Sequence, residues 1–192
     1  MEYILVSDSE KIKLRDKFIR NFINTEHEHY KRHIVTLKED YLWAVLNEPY
    51  DLVVKKQENA LEYLKQKETV LVMWDIHHKN GLNDKIRLNN PQDAIISVKT
   101  DELCELIEYE WNTDYNSENR YTTFLANRYL PEDIYIFDDT MKWCVIFTHE
   151  GDDNFTNPEL SEDDYIRICF VIDRTKEETG KLNLFPITLE GI

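Results

Sequence analysis

The sequence is poor in the residues that loosen or punctuate a chain. Its 192 residues include 4 Gly and 5 Pro, which excludes collagen-like, linker-like and low-complexity architectures. No stretch approaches the roughly 20 consecutive apolar residues that a bilayer-spanning helix needs. The N-terminus passes from one short apolar patch straight into charged residues rather than into a secretory leader, so neither membrane insertion nor secretion is expected. Cysteine is scarce too: Cys104, Cys144 and Cys169 are an odd number, widely spaced and each beside apolar residues, as befits buried thiols in a reducing compartment. The expectation is a cytoplasmic protein without disulfides. Gly81, Gly151, Gly180 and Gly191 are isolated, so no glycine-rich phosphate loop exists and nucleotide-dependent chemistry is not expected.

What is present is a packable chain. Hydrophobic residues make up 42%, including 11 Tyr, 8 Phe and 4 Trp, enough to bury a core in one domain spanning residues 1–192. The net charge of −15 is unevenly placed: residues 1–100 hold 16 acidic and 16 basic side chains, whereas residues 101–192 hold 22 acidic and 7 basic. All the excess charge therefore belongs to the second part. Such a field repels phosphate backbones and speeds encounter with cations, so direct nucleic-acid binding is disfavoured and a basic protein partner is favoured.

Periodicity supplies the elements. Tyr3–Val6 is β-prone, and Ser7 and Glu10 have capping-box spacing at the head of an amphipathic helix that carries Leu14, Phe18 and Phe22 inward and ends near Asn24. Ile34–Leu37 and Tyr41–Leu46 read as strands, Lys55–Lys67 as a helix and Thr69–Trp74 as a strongly apolar strand. Asp75–Asn90 reads as a long loop or an edge hairpin around Lys85–Leu88. Ala94–Val98 is an expected strand, Thr100 or Asp101 the cap of a helix ending near Trp111, and 118–127 a further helix. Ile134–Phe137 and Trp143–Thr148 form an expected hairpin, Tyr165–Asp173 a central strand and Leu184–Leu189 an extended tail segment. Glu58-Asn59 and Glu118-Asn119 each lead a helix into an apolar strand, a faint sign of duplication that does not divide the chain. The expected architecture is α+β: a mixed, mainly antiparallel sheet with three or four helices packed on it.

Four groups of side chains carry possible chemistry. His27, His29 and His33 have metal-ligand types at a spacing that puts His29 and His33 on one helical face, but the neighbouring Glu26, Glu28, Lys31 and Arg32 read as a solvated helix end. Asp75, His77 and His78 follow an apolar strand, and Asp138, Asp139, His149 and Glu150 bound the later hairpin, which is the material for a rival reading as a metal-dependent hydrolase. The run from 150 to 164 approximates a calcium loop at Asp152, Asn154, Thr156 and Asp163, yet Asn157 stands where the turn needs Gly and Pro158 stiffens it. What remains there is charge, with Glu150, Asp152, Asp153, Glu159, Glu162, Asp163 and Asp164 uninterrupted by Lys or Arg. No catalytic signature, cofactor or metal site is expected.

The segment LPEDIYIFDDTMKWCVIFTHE, residues 130–150, resembles small uncharacterised bacterial proteins with a similar strand, acidic turn, Trp-bearing strand and terminal Thr-His-Glu. Some of these belong to the immunity proteins of contact-dependent and polymorphic toxin systems. The resemblance implies a binding role, in which a small, acidic cytoplasmic protein neutralises a cognate toxin domain by covering its active site or an adjacent surface. With the charge asymmetry, it leads to the expectation of an inhibitor that binds a basic toxin domain, a nuclease, through Asp152, Asp153, Glu159, Glu162, Asp163 and Asp164. An adaptor without a toxin partner is the third reading.

Overall fold

A computed structural model describes residues 1–37, 40–47, 53–75, 94–115, 130, 133–152 and 166–175. Seven strands, β1 (Tyr3–Leu5), β2 (Val53–Lys55), β3 (Thr69–Trp74), β4 (Ile95–Lys99), β5 (Ile134–Phe137), β6 (Trp143–Asp152) and β7 (Ile166–Asp173), form one sheet in the order β1-β4-β3-β5-β6-β7-β2. Every neighbouring pair is antiparallel. Three α-helices, α1 (Asp8–Phe22), α2 (Gln57–Leu64) and α3 (Thr100–Tyr115), join it with a π-helical segment Tyr30–Leu37 and a 3-10 turn Leu42–Val45. The α+β class is as expected.

The central strands read as continuous apolar runs because both faces of the sheet are covered. Val72, Ile136, Val145 and Val171 point to a core closed by Leu61 and Leu64 of α2 and Leu103 and Ile107 of α3. Their sequence neighbours Met73, Tyr135, Ile146 and Ile172 point to a second core closed by Leu14, Phe18 and Phe22 of α1 together with Ile34, Leu42 and Val45. The two-residue alternation of a strand thus feeds two cores from one sequence. The neutral and acidic parts of the chain share this sheet, since β3 pairs with β5 and β2 with β7.

Several expectations need correction. Ile34–Leu37 belongs to the π-helical segment, not to a strand: Ile34 is buried, but Val35, Thr36 and Leu37 are all exposed, so Thr36 breaks the two-residue alternation of a strand. Tyr41–Leu46 is not a strand either. Leu42, Val45 and Leu46 are buried at one-turn spacing, and the Leu42 and Trp43 amides are satisfied by distant side chains rather than by a ladder. Lys55 ends the short strand β2, so α2 begins only at Gln57. The third helix runs to Tyr115, past Trp111. The strand β7 is penultimate, because β2 pairs outside it. Ser7 is the N-cap of α1, but its hydroxyl lies 3.4 Å from Ser9 Oγ and the capping-box bond is not made. The expected elements at 85–88, 118–127 and 184–189 lie outside the described residues.

The β5–β6 hairpin forms where expected. Met141 N–H donates to the Asp138 carbonyl at 3.2 Å, and Asp138 Oδ1 accepts from Thr140 N–H at 3.0 Å while its Oδ2 accepts Trp143 Nε1–H at 2.6 Å. Met141 adopts φ 54°, a left-handed conformation costly to a side chain, and its 5% exposure in the α1-side core helps to offset that cost.

Candidate functional site

Strand direction decides which candidate residues share a surface. Trp74 pairs with Ile134, Ile134 with Phe147 and Asp152 with Ile166, so β3 and β6 end, and β5 and β7 begin, at one end of the sheet. Asp75, Asp133 and the backbone of Asp152 therefore belong to this end. Of the six acids expected to meet a partner, Asp152 lies in β6, while Asp153, Glu159, Glu162, Asp163 and Asp164 lie outside the described residues. Asp152 and Ile166 are direct cross-strand partners at this rim of the sheet.

Asp138 and Asp139 sit at the opposite end, in the hairpin turn beside Trp143. Trp143 and His149 are separated by six strand steps, about 20 Å at roughly 3.3 Å per residue. The hydrolase reading required both groups in one cleft, and the β6 geometry takes Asp138 and Asp139 out of it. Asp138 is also engaged with Thr140 and Trp143 as a turn residue. His149 and Glu150 lie in β6 across a register irregularity between Phe147 and Gly151; His77 and His78 lie outside the described residues.

At this end of the sheet is a buried polar network that the sequence did not reveal. The Tyr135 hydroxyl donates to Asp75 Oδ2 at 2.5 Å and accepts from Trp43 N–H at 3.1 Å. Leu42 N–H donates to Asp75 Oδ1 at 3.3 Å, and Trp43 Nε1–H donates to Asp133 Oδ1 at 2.8 Å. Asp75 and Asp133 are 1% and 0% exposed, a placement that carboxylates tolerate only when hydrogen-bonded. Burial, then the charges of Asp75 and Asp133, push the Tyr135 phenol well above its ordinary pKa, so it remains a donor. Asp75 drew notice from its place after an apolar strand, but its partners come from residues 33 to 60 positions away. Arg15 adds a bond to the Trp74 carbonyl at 3.3 Å, and Arg167 Nε–H donates to the Thr148 carbonyl at 2.6 Å while stacking over Phe147. These contacts brace the strand ends that carry the rim.

The third helix supplies an acidic surface that the sequence reading did not single out as a site. Its 16 residues include Asp101, Glu102, Glu105, Glu108, Glu110 and Asp114 and no Lys or Arg. Asp101 and Glu105 are exposed one turn apart, with Tyr109, 64% exposed, a further turn along. The signal in the sequence is a run of acids at helical spacing, fainter than the denser run at 150–164.

From residue 28 the histidine tract is helical, with His27 in the bend before it, and the His29 and His33 rings stack at 4.4 Å. His29 Nε2 is paired with Asp40, and among the described residues no group of three or more His, Cys, Asp or Glu side chains is arranged to hold a metal ion. The cysteines are all buried and unbridged; burial pushes the Cys104 thiol up to about 11 and Cys169 up to about 12, values that suppress thiolate chemistry. Among the described residues, no helix is long and apolar enough to cross a membrane. No protein-family model, curated protein or solved structure matches the chain.

Proposed function

We propose that this chain is an immunity-type protein of the cytoplasm that binds a basic toxin domain, a nuclease, and neutralises it through an acidic surface. The observation that carries this reading is the charge partition, with 22 acidic against 7 basic side chains in residues 101–192. A braced sheet is a suitable platform for such a surface, because binding groups held by a rigid scaffold lose little freedom on association. Asp152, Asp153, Glu159, Glu162, Asp163 and Asp164 are the proposed contacts, and the exposed acids of α3 extend the same sign of potential. Negative charge arranged in this way competes with phosphate for a cationic nuclease cleft. The resemblance of residues 130–150 to immunity proteins supports the same reading.

The test is capture followed by inhibition. The tagged chain is used to isolate partners from its native cells at low and then moderate salt, and each partner's nuclease activity is measured with and without one equivalent of the chain. The proposal expects a basic protein that salt releases and whose activity falls on stoichiometric addition. Failure to inhibit any captured partner, or capture of no basic protein at either salt, would overturn it.

A further inference from the structure

The two edges of the sheet are finished differently. At one edge β2 ends in Lys55 and is followed by Lys56, a charged finish of the kind that keeps an edge from pairing with another chain. At the other edge β1 consists of Tyr3, Ile4 and Leu5, with no charge, no proline and an unbroken register against β4. Among the described residues no strand lies outside it. Ile4 is 73% and Leu5 50% exposed, an apolar edge open to solvent.

Backbone and side chains both suit an added strand. Val6 N–H donates to the Ile95 carbonyl at 2.9 Å, and in an antiparallel pair alternate residues turn their backbone groups to the same neighbour. Val6 and Ile4 therefore face β4, whereas Leu5 turns its N–H and C=O outward. Glu2 keeps the alternation, donating its N–H to Glu102 Oε2 at 2.8 Å where α3 follows β4. Leu5 pairs with Ile96, a residue of the α2 and α3 core, so Leu5 lies on that face of the sheet and Ile4 on the α1 face. A strand laid outside β1 meets an exposed apolar side chain on each face.

Charge selects the occupant. The lysines at the head of α1 and the end of β4 are each matched by an acid: Lys11 by Asp8 at 3.0 Å, Lys13 by Glu10 at 3.6 Å and Lys99 by Glu102 at 3.9 Å. Glu2, Asp101 and Glu105, at the start of β1 and in the adjoining turns of α3, are exposed and in excess. A second copy would bring another chain of net charge −15 to this edge, which mutual repulsion opposes. A strand with cations at the Glu2 end is attracted instead.

We propose that β1 is a docking edge that takes an extended segment of a basic protein partner as an added antiparallel strand, apolar where it passes Leu5 and Ile4 and basic where it reaches Glu2. Main-chain bonds to Leu5 supply affinity, and the apolar-then-basic order of the segment supplies specificity. The edge is a contact separate from the acidic run at 150–164, and it is tested with a peptide, so the outcome does not depend on whether the partner is a nuclease.

The probe is a blocked peptide in which threonine, valine, isoleucine and valine precede three lysines, with a counterpart carrying three glutamates instead. Binding to the full chain is measured by fluorescence anisotropy, and amide exchange by NMR. With the lysine peptide at about ten times its Kd, exchange of the Leu5 amide should slow by about tenfold, while Ile4 and Val6, already turned to β4, change little. Leu5→Pro removes the outward N–H and leaves the inward bonds, a substitution that an edge strand tolerates, and it should weaken binding by about tenfold or more. Ile4→Lys, at a side chain 73% exposed, keeps the fold and should weaken binding similarly by opposing the lysines. No binding of the lysine peptide, equal binding of the glutamate peptide, equal binding by both variants, or binding that leaves the Leu5 amide unprotected would overturn the proposal. A dimer in sedimentation velocity that Ile4→Lys abolishes would give the edge to a second copy and overturn it too.

Discussion

Replacing Tyr135 by Phe removes one oxygen and keeps the ring. In the folded protein that oxygen joins Asp75 at 2.5 Å to the Trp43 amide at 3.1 Å, in a site where Asp75 is 1% and Tyr135 0% exposed. The substitution takes the hydroxyl acceptor from the part-buried Trp43 amide, a hydrogen bond worth about 0.5–1.5 kcal/mol, and strips a hydrogen bond from the buried Asp75 carboxylate, worth about 1.5–3 kcal/mol for a charged partner. Asp75 keeps Leu42 N–H at 3.3 Å, which limits the damage. The sum is about 3 kcal/mol of lost stability, or roughly 6–12 °C in Tm for a chain of this size. Urea unfolding followed by tryptophan fluorescence and by circular dichroism gives the number and tests whether the transition is two-state. A loss below about 0.5 kcal/mol would refute the reasoning, since it would mean that the network does not bear on the fold.

Raised phenol pKa values for Tyr135 and Tyr63, caused first by burial and then by nearby carboxylates, have a definite pH consequence. Both contribute stability that is fully present below the ordinary tyrosine value of 10.0 and is lost as pH rises toward the folded values; the urea midpoint should fall steeply above about pH 10, and a flat profile would contradict the burial argument. Phe18, 0% exposed and 5.0–5.5 Å from the Phe22, Tyr135 and Phe137 rings, should cost about 3–5 kcal/mol when changed to Ala, measured by the same unfolding curves. Cys104, Cys144 and Cys169 should resist a thiol reagent in the native protein and react together on unfolding; fast labelling of any one would show that its strand or helix opens locally.

Where the sequence was legible, each strand's burial was written in its own residues. The strand β3 occupies Thr69–Trp74 and β5 Ile134–Phe137, as their apolar runs indicate, and α1 follows its one-turn spacing of Leu14, Phe18 and Phe22. The stretches at 34–37 and 41–46 misled because β-branched and aromatic residues favour strands locally, while Asp75 and Tyr135 supply the partners that make a 3-10 turn acceptable at Leu42–Val45. The three-residue strand β2 was too short to carry any period and is fixed by pairing with β7. The site divides in the same way. Asp75 was visible from its position after an apolar run, but its network with Tyr135, Trp43 and Asp133 depends on the β3–β5 register, a long-range property.

The most direct test of the proposed function is the association rate of the chain with the basic partner it captures, measured from about 0.05 to 0.5 M salt. The same series is run on a variant in which Asp152, Asp153, Glu159, Glu162, Asp163 and Asp164 become their amides. Attraction between exposed charges is screened over about 8–10 Å at ordinary ionic strength, so the wild-type rate should fall by about tenfold or more across the series. The variant should start slower and respond less. Equal rates for the two proteins, or a wild-type rate indifferent to salt, would contradict binding through the acidic surface.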